Sequence, residues 1–284
     1  MIQTVAESDV ALPKIHDSFV IGGGIVGLIA GYLKGSVVIS NSFEPRFYGP
    51  IWLHYHKSTE RFLNMLGIEP EVATVKVLVY DGNEIREPTK NDKIQYSLKV
   101  WGDYQEHTMS EGKKLIKIFD YPIGELYKQL LDQVKTIIGE VVSIDPDLQL
   151  ITVDTPYGVM TVEYSELIST IPLNVLCEIL GIDDYDFVYK TIYGTFLPDY
   201  YFQFTIEDKQ IVYDISQSPF YRHTKYSGGW LLSESVIGGD MTIGKKIKNK
   251  IGLKELDGIK LVGRYARWIP KYYIHDALQD LGVK

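Results

Sequence analysis

The run Phe19-Val20-Ile21-Gly22-Gly23-Gly24-Ile25-Val26-Gly27-Leu28-Ile29-Ala30-Gly31 constrains the fold more than any other part of this 284-residue chain. Apolar residues lead into glycines at 22, 24 and 27, and an apolar helical stretch follows. Gly22 admits the tight turn out of a strand, Gly24 lets a backbone approach a pyrophosphate with no Cβ in the way, and Gly27 lets helix and strand pack closely. The pyrophosphate is expected on the N–H groups that open the helix, at Ile25 and Val26, where the macrodipole favours negative charge. A second short strand over 36–40 completes a βαβ start, the context in which this spacing reads as a dinucleotide site.

Nucleotide sites of this design place an acid after the second strand to hold the adenosine ribose. Here Ser40 and Asn41 stand in that place, with Glu44 three residues beyond Asn41. Either a neutral hydrogen bond from Ser40 or Asn41 replaces the carboxylate, or Glu44 reaches back.

Composition excludes several other classes. A formal charge of −8 disfavours a broad hold on nucleic acid. The lysines at 245, 246, 248 and 250, and those at 113, 114 and 117, are expected to be solvated faces. One cysteine, Cys177, rules out an intrachain disulfide, suits a reducing cytoplasm, and is expected on a buried helix face. No apolar run reaches membrane-spanning length, and residues 1–17 lack the order of a secretory signal. Six histidines show no metal-ligand spacing, although His54 and His56 share a strand face.

Further along, helices are expected over 58–66, from 121 and from about 275, and strands over 72–80, 139–144, 148–154, 159–164, 167–172 and 259–264. A turn at Asp81-Gly82-Asn83 predicts a hairpin. Residues 90–109 read as irregular, and 185–232 alternate aromatic and polar residues as a sheet over a pocket does.

Five stretches resemble the flavin amine oxidase, protoporphyrinogen oxidase and UDP-galactopyranose mutase group. They are Gly22-x-Gly24-x-x-Gly27-x-x-x-Gly31; Tyr48-Gly49-Pro50-Ile51-Trp52-Leu53-His54; Tyr121-Pro122-Ile123-Gly124 with Leu126; Leu167-Ile168-Ser169-Thr170-Ile171-Pro172-Leu173; and Gly263-Arg264-Tyr265-Ala266-Arg267-Trp268. Ile51 stands where the mutases carry a histidine. The resemblance implies an α/β fold in which a Rossmann-like FAD-binding domain, with a parallel sheet and βαβ start, carries a small, mainly β substrate domain. The first is placed at 1–70, 115–182 and 255–284, the second at 71–114 and 183–254.

The same resemblance implies FAD as cofactor, held by Gly22, Gly24, Ile25, Val26, Gly27, Ser40, Asn41, Tyr48, Gly49, Pro50, Val142, Gly263, Arg264 and Trp268. His54, Tyr221 and Arg222 are its candidate catalytic residues: His54 to polarise substrate or flavin, Tyr221 to wall the ring, and Arg222 to recognise an anionic group. Tyr221, Trp268 and Tyr272 equally suit a core, and His54 a structural hydrogen bond. The implied activity is two-electron oxidation of a C–N or C–C bond in a small-molecule or side-chain amine, with oxygen as final acceptor. Three further readings stay open: a flavin enzyme acting on an amino-acid-modified base in phage DNA, a non-redox mutase, and a non-catalytic FAD-binding protein.

Overall fold

The computed structural model describes residues 18–45, 52–106, 109, 115–202, 204–226 and 229–284. Its first unit is strand β1 (Ser18–Ile21), helix α1 (Ile25–Lys34) and strand β2 (Val37–Ser40). Gly35 stops α1 in the left-handed conformation, φ 65°. Both strands join a six-stranded sheet in the order Glu255–Leu256, Ile259–Leu261, Glu166–Ser169, β1, β2, Thr136–Ile138, parallel except for the first pair. The chain leaves β1 through α1 to one side and returns much later at Glu166–Ser169 on the other. A crevice therefore opens at the C-terminal end of β1, the switch point where such sheets take ligands.

Strand alternation sorts the core into two layers. Val20, Val38 and Ile168 face α1 and the helices Lys57–Met65, Ile123–Leu131 and Ile274–Asp280. Phe19, Ile21, Val37, Ile39 and Leu167 face the helix Leu173–Leu180 and an antiparallel meander of Glu140–Asp145, Leu150–Thr155 and Gly158–Glu163. Each fully buried side chain of this size contributes ~1.5–3 kcal/mol. Cys177 lies in the second layer, 1% exposed, as its helix pattern predicts.

The second sheet has nine strands, running Met241–Ile247, Tyr189–Pro198, Trp230–Ser235, Arg222–Tyr226, Gln210–Asp214, Val72–Tyr80, Leu115–Phe119 and Leu53–His54, with Ile85–Arg86 beside Val72–Tyr80. The expected hairpin forms, pairing Val79 with Arg86 and Tyr80 with Ile85, while Asp81 Oδ1 accepts the amides of Asn83 and Glu84. Two strands that the expected boundaries assign to the FAD-binding domain, Leu53–His54 and Leu115–Phe119, pair into this sheet instead.

Residues 90–101 correct the sequence reading: they form a helix, Lys90–Trp101. Its start is a capping box in which the Asp92 carboxylate accepts the Thr89 amide and hydroxyl and both terminal nitrogens of Arg86. Its inner stripe is Asp92, Tyr96, Ser97 and Val100, so only two apolar side chains mark the buried face. Tyr96 and Val100 close over Val75, Val77, Val79, Ile211, Tyr213 and Tyr221. Among the described residues no helix is long and apolar enough to cross a membrane, and no group of three or more side chains could hold a metal ion.

Candidate functional site

Gly22 leaves β1 at φ 112°, and a Cβ there would lie 2.5 Å from Thr170 Oγ1. A Cβ on Gly27 would fall 1.8 Å from the Gly22 carbonyl oxygen, which is how close helix and turn pack. Gly24 differs: its backbone is ordinary, φ −72° and ψ 173°, and a Cβ would meet nothing within 4 Å among the described residues. Its bareness relieves no contact with those residues and leaves room beside the turn. The adjoining end of α1 has no side-chain cap and no acid in its first turn, so its unpaired amides and dipole present positive potential to that space. The turn is braced by Tyr127, whose hydroxyl donates to the Gly23 carbonyl at 2.8 Å, and by Thr170, whose hydroxyl donates to the Ile21 and Gly22 carbonyls.

Beside the turn lies an open cleft of about 420 Å³ walled by Gly22, Ser40, Asn41, Val142, Ile171 and Glu178, among others. The Ser40 hydroxyl donates to the Ser42 carbonyl, and Glu44 is not part of the wall. Two carboxylates that sequence reasoning missed, Glu140 and Glu178, line the cleft instead. Neither is near β2 in sequence; the signal for Glu178 is its place one helical turn after Asn174, on the helix that follows the Thr170-Ile171-Pro172 turn. Gly263, φ 109°, reaches the start of α1, where its notional Cβ would lie 3.4 Å from Val26 Cγ1. The cradle thus offers unpaired amides beside a bare glycine, and the cleft next to it has the room and polarity for a small polar ligand.

Other predicted residues fall elsewhere. Tyr48, Gly49 and Pro50 lie outside the described residues. Trp268 is 0% exposed in the core, its Nε1 donating to Asn249 Oδ1 and its ring against Phe187 and Tyr189, so it walls no open cavity. Arg264 lines a separate small cavity under the Lys90–Trp101 helix rather than the cleft. His54 packs on Tyr273 at 4.4 Å and 5.9 Å from His275, which stacks on His56 at 4.7 Å. Burial pushes the His275 imidazole below the usual histidine range, and His56 adds to this while Asp276 opposes it.

Arg222 is bound to Glu234 through Nε and Nη2, at 2.8 and 2.6 Å, and the Tyr221 hydroxyl donates to the same carboxylate at 2.7 Å. The anion that Arg222 recognises in this structure is therefore the protein's own. The Met241–Ile247 strand overturns the expectation of a solvated lysine face: Lys246 is half-buried, its ammonium 4.5 Å from the Tyr221 ring centre and donating to the Tyr96 hydroxyl at 3.0 Å.

Asp214, His223 and Ser233 form a relay, with Asp214 Oδ2 3.1 Å from His223 Nε2 and Ser233 Oγ 2.9 Å from His223 Nδ1. That order matches a hydrolytic triad, yet all three are 0% exposed. A nucleophile sealed from solvent serves no substrate, so the relay is part of the sheet's interior.

No protein-family model and no curated protein sequence matches the chain. Solved structures match it along most of its length. It is similar to reduced UDP-galactopyranose mutase, with a TM-score of 0.61 and 14% identity over 95% of this chain and 94% of that one. A geranylgeranyl bacteriochlorophyll reductase-like protein from Thermoplasma acidophilum gives 0.61 and 12%, over 93% and 75%. p-Nitrophenol 4-monooxygenase from Pseudomonas putida gives 0.58 and 12%, over 95% and 76%. At such identities the likeness establishes the fold: a Rossmann-like parallel-sheet domain joined to a separate, mainly β domain.

Proposed function

We propose that this protein is an FAD-dependent oxidoreductase of amine-oxidase type that oxidises a C–N bond of a small or side-chain amine. One observation carries the cofactor: the open space over Gly24, faced by the uncapped start of α1 at the switch point of a parallel sheet. Gly22, Gly24, Ile25, Val26 and Gly27 hold the diphosphate in this reading, with Gly263 alongside. Ser40, Asn41 and Val142 take the adenosine, and Glu178 accepts ribose hydroxyls where the second strand offers no acid. FAD, when bound, supplies the two-electron redox chemistry.

The amine-oxidase assignment rests on the matching stretches of sequence and on the shared flavoprotein fold. His54, packed against Tyr273 and half-buried, is the candidate for moving a proton at the substrate. The division into a cofactor domain and a substrate domain at 71–114 and 183–254 belongs to the same reading.

Purified protein should be yellow and release FAD on denaturation. Gly24→Val should fold like the wild type, because a Cβ there meets no described atom within 4 Å and the backbone is ordinary, and should retain less than a tenth of the flavin. A colourless wild type that takes up no FAD overturns the reading. Bleaching by an amine without added reductant supports oxidation; activity only after dithionite refutes it in favour of a non-redox mutase.

A further inference from the structure

The small cavity under the C-terminal end of the Lys90–Trp101 helix is lined by Trp101, Gln105, Lys246, Lys248, Arg264 and Pro270, among others. Its volume, about 30 Å³, exceeds the ~10–15 Å³ that one water needs and suits one small polar group. Among the described residues no carboxylate lines it. Lys248 is paired with Asp103 at 2.8 Å. Among the described residues the Lys246 ammonium meets the Tyr96 hydroxyl and the faces of Tyr96 and Tyr221. The Arg264 carbonyl accepts the Ile269 amide, while its side-chain Nε is buried with no acceptor among the described residues. The Tyr265 ring lies 5.7 Å from its guanidinium carbon.

The surrounding charges do not cancel. Arg222 and Arg264 both act on Lys246, and Glu234 is the acid that opposes them there. Both Glu234 oxygens are already taken by Arg222 and Tyr221. Among the described residues, two arginines and a lysine thus share one carboxylate that is already occupied, in a chain whose net charge is −8. Burial lowers the Lys246 ammonium well below the usual lysine range, and Arg222 and Arg264 lower it further against the pull of Glu234. A cation partly withdrawn from water without an anionic partner is costly, and an anion at this point reduces the cost.

We propose that Lys246 and Arg264 form a binding site for one small anionic oxygen group, a carboxylate or phosphate carried by the substrate, so that the substrate is an acidic amine. The substrate part rests on the flavoenzyme reading; the anion site does not. It shares no lining residue with the cleft beside the glycine turn.

The test uses the purified full chain with succinate, inorganic phosphate and neutral succinamide as probes, binding being read by calorimetry and by tryptophan fluorescence, and flavin content by absorbance. Succinate or phosphate should bind and succinamide should not. Lys246→Met and Arg264→Met should each weaken the anion at least tenfold with flavin content unchanged, and Arg264→Lys should recover part of the affinity. Preference for succinate assigns a carboxylate, and preference for phosphate a phosphoester. The proposal is overturned if neither anion binds the wild type at millimolar concentration, if succinamide binds equally well, if the variants bind as the wild type does, or if they lose FAD. Anion binding that falls in the variants of a protein containing no flavin supports the site and refutes the flavoenzyme reading.

Discussion

The second sheet holds two clusters of buried charge that were completed differently. Around Asp214 every demand is met within the chain: its carboxylate accepts from Lys99, His223, Ser216 and Ser218, and its amide partners include Ser216 N–H. Burial alone would raise this carboxyl; the hydrogen bonds of His223, Ser218 and Ser216, with the Lys99 charge, outweigh it and hold the group below the usual carboxylate range. Around Lys246 and Arg264 the cations outnumber their acceptors. A satisfied network stabilises and specifies the fold, whereas an unsatisfied one is what a ligand site looks like before its ligand arrives.

The contrast breaks if both clusters respond to mutation in the same direction. Asp214→Ala strands a buried lysine and imidazole and should cost ~3–5 kcal/mol in a urea unfolding experiment. Lys246→Met should have the opposite sign, stabilising by ~1 kcal/mol while anion affinity is lost. A destabilised Lys246→Met would mean that the lysine is structural.

Smaller effects sharpen the comparison at the other end of the helix that covers the cavity. The Arg86 hydrogen bonds, aided by the Thr89 amide and hydroxyl against burial, hold Asp92 at about 2. A depressed carboxyl stabilises above its unfolded value and loses that contribution as pH falls through its folded one. Stability should therefore decline between roughly pH 4 and 2, a slope that Asp92→Asn should flatten, at a cost near neutrality of about 1–3 kcal/mol. His275, depressed by burial and His56, follows the same sign: protonation below its unfolded value of ~6.5 should loosen the contact between the Lys57–Met65 and Ile274–Asp280 helices. His275→Gln should remove that weak acid sensitivity from a thermal melt.

Local signals sufficed where local chemistry decides. Gly22 and Gly27 occupy the tight turn and the close helix packing that their spacing implies, and the meander, the hairpin and the Leu173–Leu180 helix stand close to their expected positions. The Lys90–Trp101 helix escaped because Asp92 and Ser97 fill half its inner stripe, although Thr89-x-x-Asp92 marked its start. The lysine-bearing Met241–Ile247 strand resembles a solvated segment because it is the edge of its sheet, where lysine is common. What placed Lys246 beside Tyr96, Tyr221 and Arg264 was pairing across long stretches of chain, such as Val72–Tyr80 against Gln210–Asp214, which no local pattern encodes.

The reach of Tyr127 to the Gly23 carbonyl bears on how fast a ligand can be captured. A hydroxyl from a neighbouring helix fixes the loop's orientation once the domain has folded, so in the proposed reading an incoming phosphate would find donors already aimed. Capture then asks for little ordering of the protein, and the entropy that a slack loop would surrender at docking has been spent during folding.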